Sequence, residues 1–433
     1  MTSAPQFGRT SRPPLAASLA IALVISSCGL GDPGAKTSEP SPPSHSAIAT
    51  THDAVPGPVS FDLRLRIRIG NNADERSPVL GVISAVAPLA AGGAFICDRF
   101  DTQVLLFDAS GTFVRNVGRR GAGPAEYRSC DAMLIAEGDS LLIGDPSNGR
   151  IDVFDSNGAF VEANEIRAAG FYGENTFGLD RERRMILTLA MRPGPRQPGE
   201  HELLEFVIWH RSGDRAGSVI VPSRRTASLG RGFALSTADG DRLSVPPDTV
   251  WTLGRASDIF VANPLRYSVT RFTRGGQRIV FERPDVSPVP YLPEERKEWE
   301  RLRSYVVHRN RLPLAAIPAL KPIIRELFVD AQGRLWVGRY TRAEKREIGS
   351  QARAVNGRPS LTYRERNVYD VFDIGSARFL GEVSLPANSR IAAFSPGHVW
   401  LVEESDSGLQ TIAKYQVEDS RPLQSSRSDS ATP

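Results

Sequence analysis

Apolar and polar residues alternate along Phe61-Asp-Leu-Arg-Leu-Arg-Ile-Arg-Ile69, the period-two pattern of a strand with one buried face. Comparable short runs recur down the chain, bounded by Gly, Asn, Asp and Ser. Two of them are near copies: Gln103-Val-Leu-Leu-Phe-Asp-Ala-Ser-Gly-Thr-Phe-Val114 returns 47 residues later as Arg150-Ile-Asp-Val-Phe-Asp-Ser-Asn-Gly-Ala-Phe-Val161. At the same offset Phe95-Ile-Cys-Asp98 falls on Leu142-Ile-Gly-Asp145. Each copy predicts strand, polar turn, strand. A unit of this length, made of several short strands, cannot bury its apolar faces alone, whereas stacked copies cover one another. The pattern therefore predicts an all-β fold, a six-bladed β-propeller of four-stranded antiparallel blades around a central channel.

Blade 1 is expected over about 79–118 and blade 2 over about 131–166. Blade 3 is diverged, with Met185-Ile-Leu-Thr-Leu189 and Leu203-Leu-Glu-Phe-Val-Ile-Trp-His210 as strands and Arg211-Ser-Gly-Asp214 as the turn. Blade 4 is expected within 249–281, blade 5 within 324–383 and blade 6 within 391–415, with the isolated strand 61–69 completing the last blade and closing the ring. One segment departs from the strand pattern. Residues 293–310 predict an amphipathic helical insertion, with Pro293 in its first turn, glutamates early and arginines later, and Trp299, Leu302, Tyr305 and Val306 on one face.

The stretch Gly118-Arg-Arg-Gly-Ala-Gly-Pro-Ala-Glu-Tyr127, followed by Leu141-Leu-Ile-Gly-Asp145, Asn148, Arg150-Ile-Asp-Val-Phe-Asp155 and Gly158, resembles an NHL-type propeller repeat. The whole arrangement is similar to bacterial six-bladed β-propeller lipoproteins with such repeats. The resemblance implies that Asp98 and Asp145 order the blade turns. It also brings in a competing class, since related propeller lactonases and NHL-type lyases use metal ions in the channel. In this chain Asn148 and Arg150 are expected in a loop between strands, as solvated turn residues.

The N-terminus carries Arg9 and Arg12, then an apolar run over 15–25, then Ser26-Ser-Cys-Gly29. The run is short for a bilayer span and reads as a secretory signal, residues 1–27. Ile25-Ser-Ser-Cys28 resembles the bacterial lipobox, which implies lipidation at Cys28. Residues 28–57, rich in Pro, Ser, Thr, Gly and Ala, lack the large apolar residues of a core and read as a disordered tether. The propeller is expected over 58–418 and a disordered tail over 419–433. These features place the chain in the bacterial cell envelope, lipid-anchored and extracytoplasmic, with Gly29 after the cysteine favouring an outer membrane where the host has one.

Composition sharpens this picture in a few places. The 433 residues are 40% hydrophobic and 24% charged, with 38 Gly and 32 Pro, which suits many short strands joined by turns. The formal net charge of +4 falls to +2 once Arg9 and Arg12 leave with the signal segment, and no basic run interleaved with aromatics occurs. A nucleic-acid partner is therefore not expected. Cys97 and Cys130 form an even pair in an oxidising compartment; a bridge between two blades and a pair of buried free thiols both remain open.

Candidate chemistry is sparse. His45 and His52 fall in the tether, and His201, His210, His308 and His398 show no metal-ligand spacing. There is no G-x-S-x-G elbow, H-E-x-x-H pair or phosphate-binding glycine loop. Gly118-Arg-Arg-Gly-Ala-Gly123 precedes Pro124 between two blades and reads as an interblade turn. Arg119, Arg120 and Glu126, and the looser group Arg224, Arg225 and Arg231, are rim candidates of the kind that is ordinarily solvated or paired. No catalytic residue and no cofactor are identified, although a propeller channel is able to gather a divalent cation from separate blades. The expected function is a noncatalytic binding or interaction module for an envelope protein, a glycan or a small ligand. The alternative is a metal-dependent, lactonase-like hydrolase or lyase with its site at the channel.

Overall fold

The computed structural model describes residues 59–70, 78–165, 177–179, 185–191, 201–210, 215–224, 235–236, 242–243, 250–254, 258–263, 266–273, 276–310, 317, 319–346, 361–405 and 408–419. Cys28, the tether, the tail beyond Asp419, the turn Arg211–Asp214, Arg225 and Arg231 lie outside them.

Six four-stranded blades follow one another along the chain, each antiparallel, so the molecule is a six-bladed β-propeller. Blade 1 comprises Ile83–Pro88, Ala94–Asp98, Gln103–Phe107 and Phe113–Val117. Blade 2 comprises Ala132–Ile135, Leu141–Asp145, Arg150–Phe154 and Phe160–Glu165. Blade 3 runs from Phe177–Leu179 through Met185–Met191 and His201–His210 to Arg215–Arg224. Blade 4 contains Trp251–Leu253, Ile259–Asn263, Ser268–Phe272 and Arg278–Glu282. Blade 5 contains Ile324–Val329, Arg334–Arg339, Val368–Asp373 and Phe379–Ser384.

Blade 6 has three strands from the C-terminal end, Ser389–Ser395, His398–Glu404 and Gln410–Asp419, and takes its fourth from the other end of the propeller, Val59–Ile69. Phe61 pairs with Asp419 and Ile69 with Ile412, with a bulge between Leu65 and Ile67. The ring is closed as the alternating pattern predicts. The first residues of this strand also pair in parallel with the outermost strand of blade 5, Val59 with Gly381 and Phe61 with Val383.

Because strand direction alternates within a blade, turns joining strands one to two and three to four share one face, the turn face. Loops joining strands two to three and the connections between blades share the other, the loop face. The closing strand occupies a fourth-strand position, so Val59 stands on the turn face and Ile69 on the loop face. The final strand ends beside it at Asp419, also on the turn face.

The core lies between blades. Phe95, Val104 and Leu106 of blade 1 pack with Leu141, Ile143 and Phe154 of blade 2, and comparable apolar clusters join blades 6 and 1, 5 and 6, and 4 and 5. Phe107, Phe154 and Phe372 occupy the same position of the third strand, and each meets the next strand's Phe113, Phe160 or Phe379 edge-on. The turn-face hairpins follow one chemistry. Asp108 Oδ1 accepts from the amides of Ser110 and Thr112, both at 2.9 Å, and Asp155 Oδ1 from Asn157 and Ala159 at 2.9 and 2.8 Å. Gly111 and Gly158 follow with φ of 84° and 78°, a region few side chains tolerate.

The helix α1, Pro293–Asn310, occupies the connection between blades 4 and 5. Glu295 caps it by accepting the amide of Leu292 at 3.1 Å. Leu302 is buried against Trp299, Tyr305 and Leu361, the predicted face; the side chain of Val306 lies outside the described residues.

Candidate functional site

The innermost strand of blade 1 neighbours those of blades 6 and 2, and that of blade 4 neighbours that of blade 5, so the first strands surround the axis. Their partly exposed positions are mainly apolar, among them Ala85, Ile135, Trp251, Phe328 and Phe394. Charge enters at Arg325 and Glu326 of blade 5 and at Arg390 of blade 6.

Arg325, Glu326 and Tyr369 form a closed triangle. Arg325 Nε lies 3.0 Å from Glu326 Oε1, the Tyr369 hydroxyl donates to the same oxygen at 2.6 Å, and Arg325 Nη2 donates to that hydroxyl at 3.3 Å. Burial, then the Glu326 charge, holds the Tyr369 phenol well above its ordinary pKa. Just before this strand stands Lys321, fully buried, with Nζ 2.6 Å from Glu295 of α1, 2.7 Å from Glu365 and 3.1 Å from the Thr341 carbonyl. Burial raises the Glu365 pKa although Lys321 opposes it. Glu298 of α1 accepts from the Thr362 amide at 2.7 Å, from its hydroxyl, and from the Tyr363 amide at 3.3 Å. These contacts bind the helix to the loop face of blade 5.

The loop between blades 1 and 2 is equally self-contained. Asp98, fully buried, accepts the amides of Gly81, Val82 and Phe100 at 2.8, 3.1 and 3.0 Å. Asp145, also fully buried, accepts from the Arg128 amide at 2.8 Å and from Asn148 Nδ2 at 2.7 Å. Asn148 and Arg150 are not solvated turn residues. Asn148 Nδ2 also donates to the Gly121 carbonyl at 3.0 Å, and Arg150 donates to the carbonyls of Ala122, Gly123 and Glu126 at 3.1, 2.7 and 2.6 Å. Their donors match carbonyls of the glycine-rich loop, and this consumes them. Glu126 closes the same loop by accepting Arg119 Nε at 2.7 Å and the amides of Ala122 and Gly123 at 3.0 and 2.8 Å, which lowers its pKa. Arg120 is exposed. In the structure Cys97 and Cys130 are joined by a disulfide, Cα to Cα 5.7 Å, between the second strand of blade 1 and the approach to blade 2.

Two further carboxylates sit in the blade interfaces at equivalent third-strand positions, Asp152 and Asp370, both fully buried. Arg150 Nε lies 2.9 Å from Asp152, and Arg339 Nε and Arg283 Nη1 lie 3.0 and 3.4 Å from Asp370. Burial dominates in both: Asp152 is pushed up to about 6, and Asp370 is raised. Sequence reading missed these pairs and the Lys321 cluster. The signals present were the repeated Asp-Val-Phe-Asp of 152–155 and 370–373, and a lysine in a chain whose basic residues are nearly all arginine.

Among the described residues no group of three or more His, Cys, Asp or Glu side chains is arranged to hold a metal ion. None of their helices is long and apolar enough to cross a membrane.

The family whose model matches is the six-bladed β-propeller, over residues 77–169. No curated protein matches. Among solved structures the chain is similar to a Bacteroides fragilis protein described as exported, at 10% identity over 83% of this chain and 96% of that one, TM-score 0.45. A Bacteroides vulgatus member of a family of unknown function matches at 8% identity over 83% and 99%, TM-score 0.49. Virginiamycin B lyase from Staphylococcus aureus matches at 11% identity over 82% and 99%, TM-score 0.36.

Proposed function

We propose that this propeller is a lipid-anchored, extracytoplasmic binding module, held through Cys28 in the bacterial cell envelope and offering its loop face to a partner. The observation that carries this reading is how the polar groups of the loop-face connections are used. Asp98, Asp145, Glu126, Lys321, Glu295 and Glu365 each meet a backbone donor, a backbone acceptor or an opposite charge within the protein. Such groups hold loops still rather than converge on a reacting atom, and preorganised loops are what a binding face requires. The anchor reading rests on Ile25-Ser-Ser-Cys28 after a short apolar run. Stable attachment follows from several acyl chains at about 0.8 kcal/mol per buried methylene.

Labelling of cells with an alkyne palmitate analogue tests the anchor. The wild-type chain is expected to take up label and to sediment with membranes, and Cys28→Ala to do neither; equal labelling of both would remove the anchor. Turnover of a lactone panel by purified protein, abolished by chelator, would replace the binding module with a metal-dependent hydrolase.

A further inference from the structure

We infer that two copies of this chain dock side by side through the outer edges of blades 1 and 2, an inference that goes beyond the binding-module reading and takes from it only the shared anchor. The outermost strands Phe113–Val117 and Phe160–Glu165 end their sheets, so each offers an open row of backbone donors and acceptors. The molecule itself shows how such edges meet. The fourth strands of blades 5 and 6 pair in parallel, Val59 with Gly381 and Phe61 with Val383.

The two open edges are near copies with one exchange of charge. At the 47-residue offset Phe113 matches Phe160, Val114 matches Val161, and Arg115 matches Glu162. Val114 and Val161 are 50% and 58% exposed, and Arg115 and Glu162 are exposed beside them. Arg115 meets no carboxylate of its own molecule; its Nε donates to the Asn116 carbonyl at 3.4 Å. Glu162 accepts from Asn164 Nδ2 at 3.2 Å. Arg115 is the one charged residue on the blade 1 edge, and the blade 2 edge adds a second carboxylate, Glu165. Blade 1 therefore presents a basic edge and blade 2 an acidic one.

Equivalent positions of neighbouring blades stand at one height along the propeller axis. A two-fold axis parallel to it preserves height and strand direction, and sets blade 1 of each copy against blade 2 of the other. Arg115 then faces Glu162 of the second copy and Val114 faces Val161, twice over. Inverting the second copy would set each blade against itself and oppose like charges. Asp108 and Asp155 also come level, but each carboxylate already accepts two amides of its own hairpin. Under the parallel axis both copies begin their closing strand, at Val59, on the same side. Both anchors then reach one membrane, and both loop faces stay open on the far side. Two strand edges form a small contact beside the roughly 1,200–2,000 Å² of a stable soluble pair. A common anchor raises effective concentration, so the pair forms on the membrane.

The test is disulfide capture in intact cells between two differently tagged full chains. Cys97 and Cys130 are bridged to each other, and Cys28 is the anchor position, so an introduced cysteine reports the contact. Val114→Cys expressed together with Val161→Cys is expected to give a bridged pair, and either variant alone to give none. Arg115→Glu in both chains is expected to cut the yield about tenfold, since the two-fold doubles the effect of each exposed pair. Adding Glu162→Arg to Arg115→Glu is expected to restore it. All four side chains are exposed, and an unchanged thermal melt checks that each variant folds. Bridging of Val114→Cys to itself would overturn the arrangement in favour of the inverted pair. A charge reversal without effect would overturn the pairing of Arg115 with Glu162. No bridge in chains that take up the palmitate label would overturn the dimer and leave the anchored module standing. No bridge in chains that also fail to take up label would overturn both.

Discussion

Asp152 is fully buried at a blade interface, beside Arg150. Burial places its folded pKa at about 6, above the ordinary 3.8, so the native state binds this proton more tightly than the unfolded chain does. The contribution of Asp152 is therefore most favourable below about pH 4 and is lost as pH rises through about 6. Asp152→Asn is expected to gain stability over wild type progressively across that window, read as the difference between two urea-denaturation series; a difference independent of pH would contradict it. Asp145 serves as an acceptor for backbone and side-chain donors. Asp145→Ala is expected to lose about 1–3 kcal/mol through donors left unpaired. Lys321→Met strands two carboxylates and is expected to cost about 3–5 kcal/mol. The correspondence of Asp98 and Asp145 was legible because they recur at one offset, and their turn-ordering role was what the resemblance to NHL-type repeats implied. Lys321 was not, because its partners Glu295 and Glu365 lie far apart in sequence and meet only after α1 folds back onto blade 5.

At the scale of elements, the alternating strand Val59–Ile69 and helix α1 were readable from periodicity alone, since each carries its own amphipathic pattern. The short pairs Arg119–Arg120 with Glu126–Tyr127 and Glu344–Lys345 with Tyr363–Arg364 were not, because two-residue strands have no period to read. The closing strand is the element on which the ring depends. Removing residues 59–69 exposes Ile412, Ala413 and Val402 of blade 6 and is expected to convert a cooperative thermal transition into a broad one at lower temperature; an unchanged melt would sink the closure. The disulfide between Cys97 and Cys130 closes a 33-residue separation. Chain-entropy reasoning assigns such a loop about 4 kcal/mol. Thiol titration of denatured, unreduced protein is expected to find neither cysteine free, and reduction to lower the melting temperature.

For the whole molecule, blade number followed from the recognisable strand segments, since repeat length alone would allow seven or eight, and ring closure from one isolated strand, while the character of the loop face did not. Side chains there come from connections that differ between blades, and strand direction alone decides which of them share a side. The central claim is that the propeller binds without metal chemistry, its polar groups holding loops in place. Metal analysis of protein lacking residues 1–28, paired with calcium and zinc titration followed by thermal melting, tests it most directly. The account predicts no stoichiometric ion and no shift of melting temperature on titration or chelation. A stoichiometric ion that chelation removes, with a lower melting temperature afterwards, would contradict it.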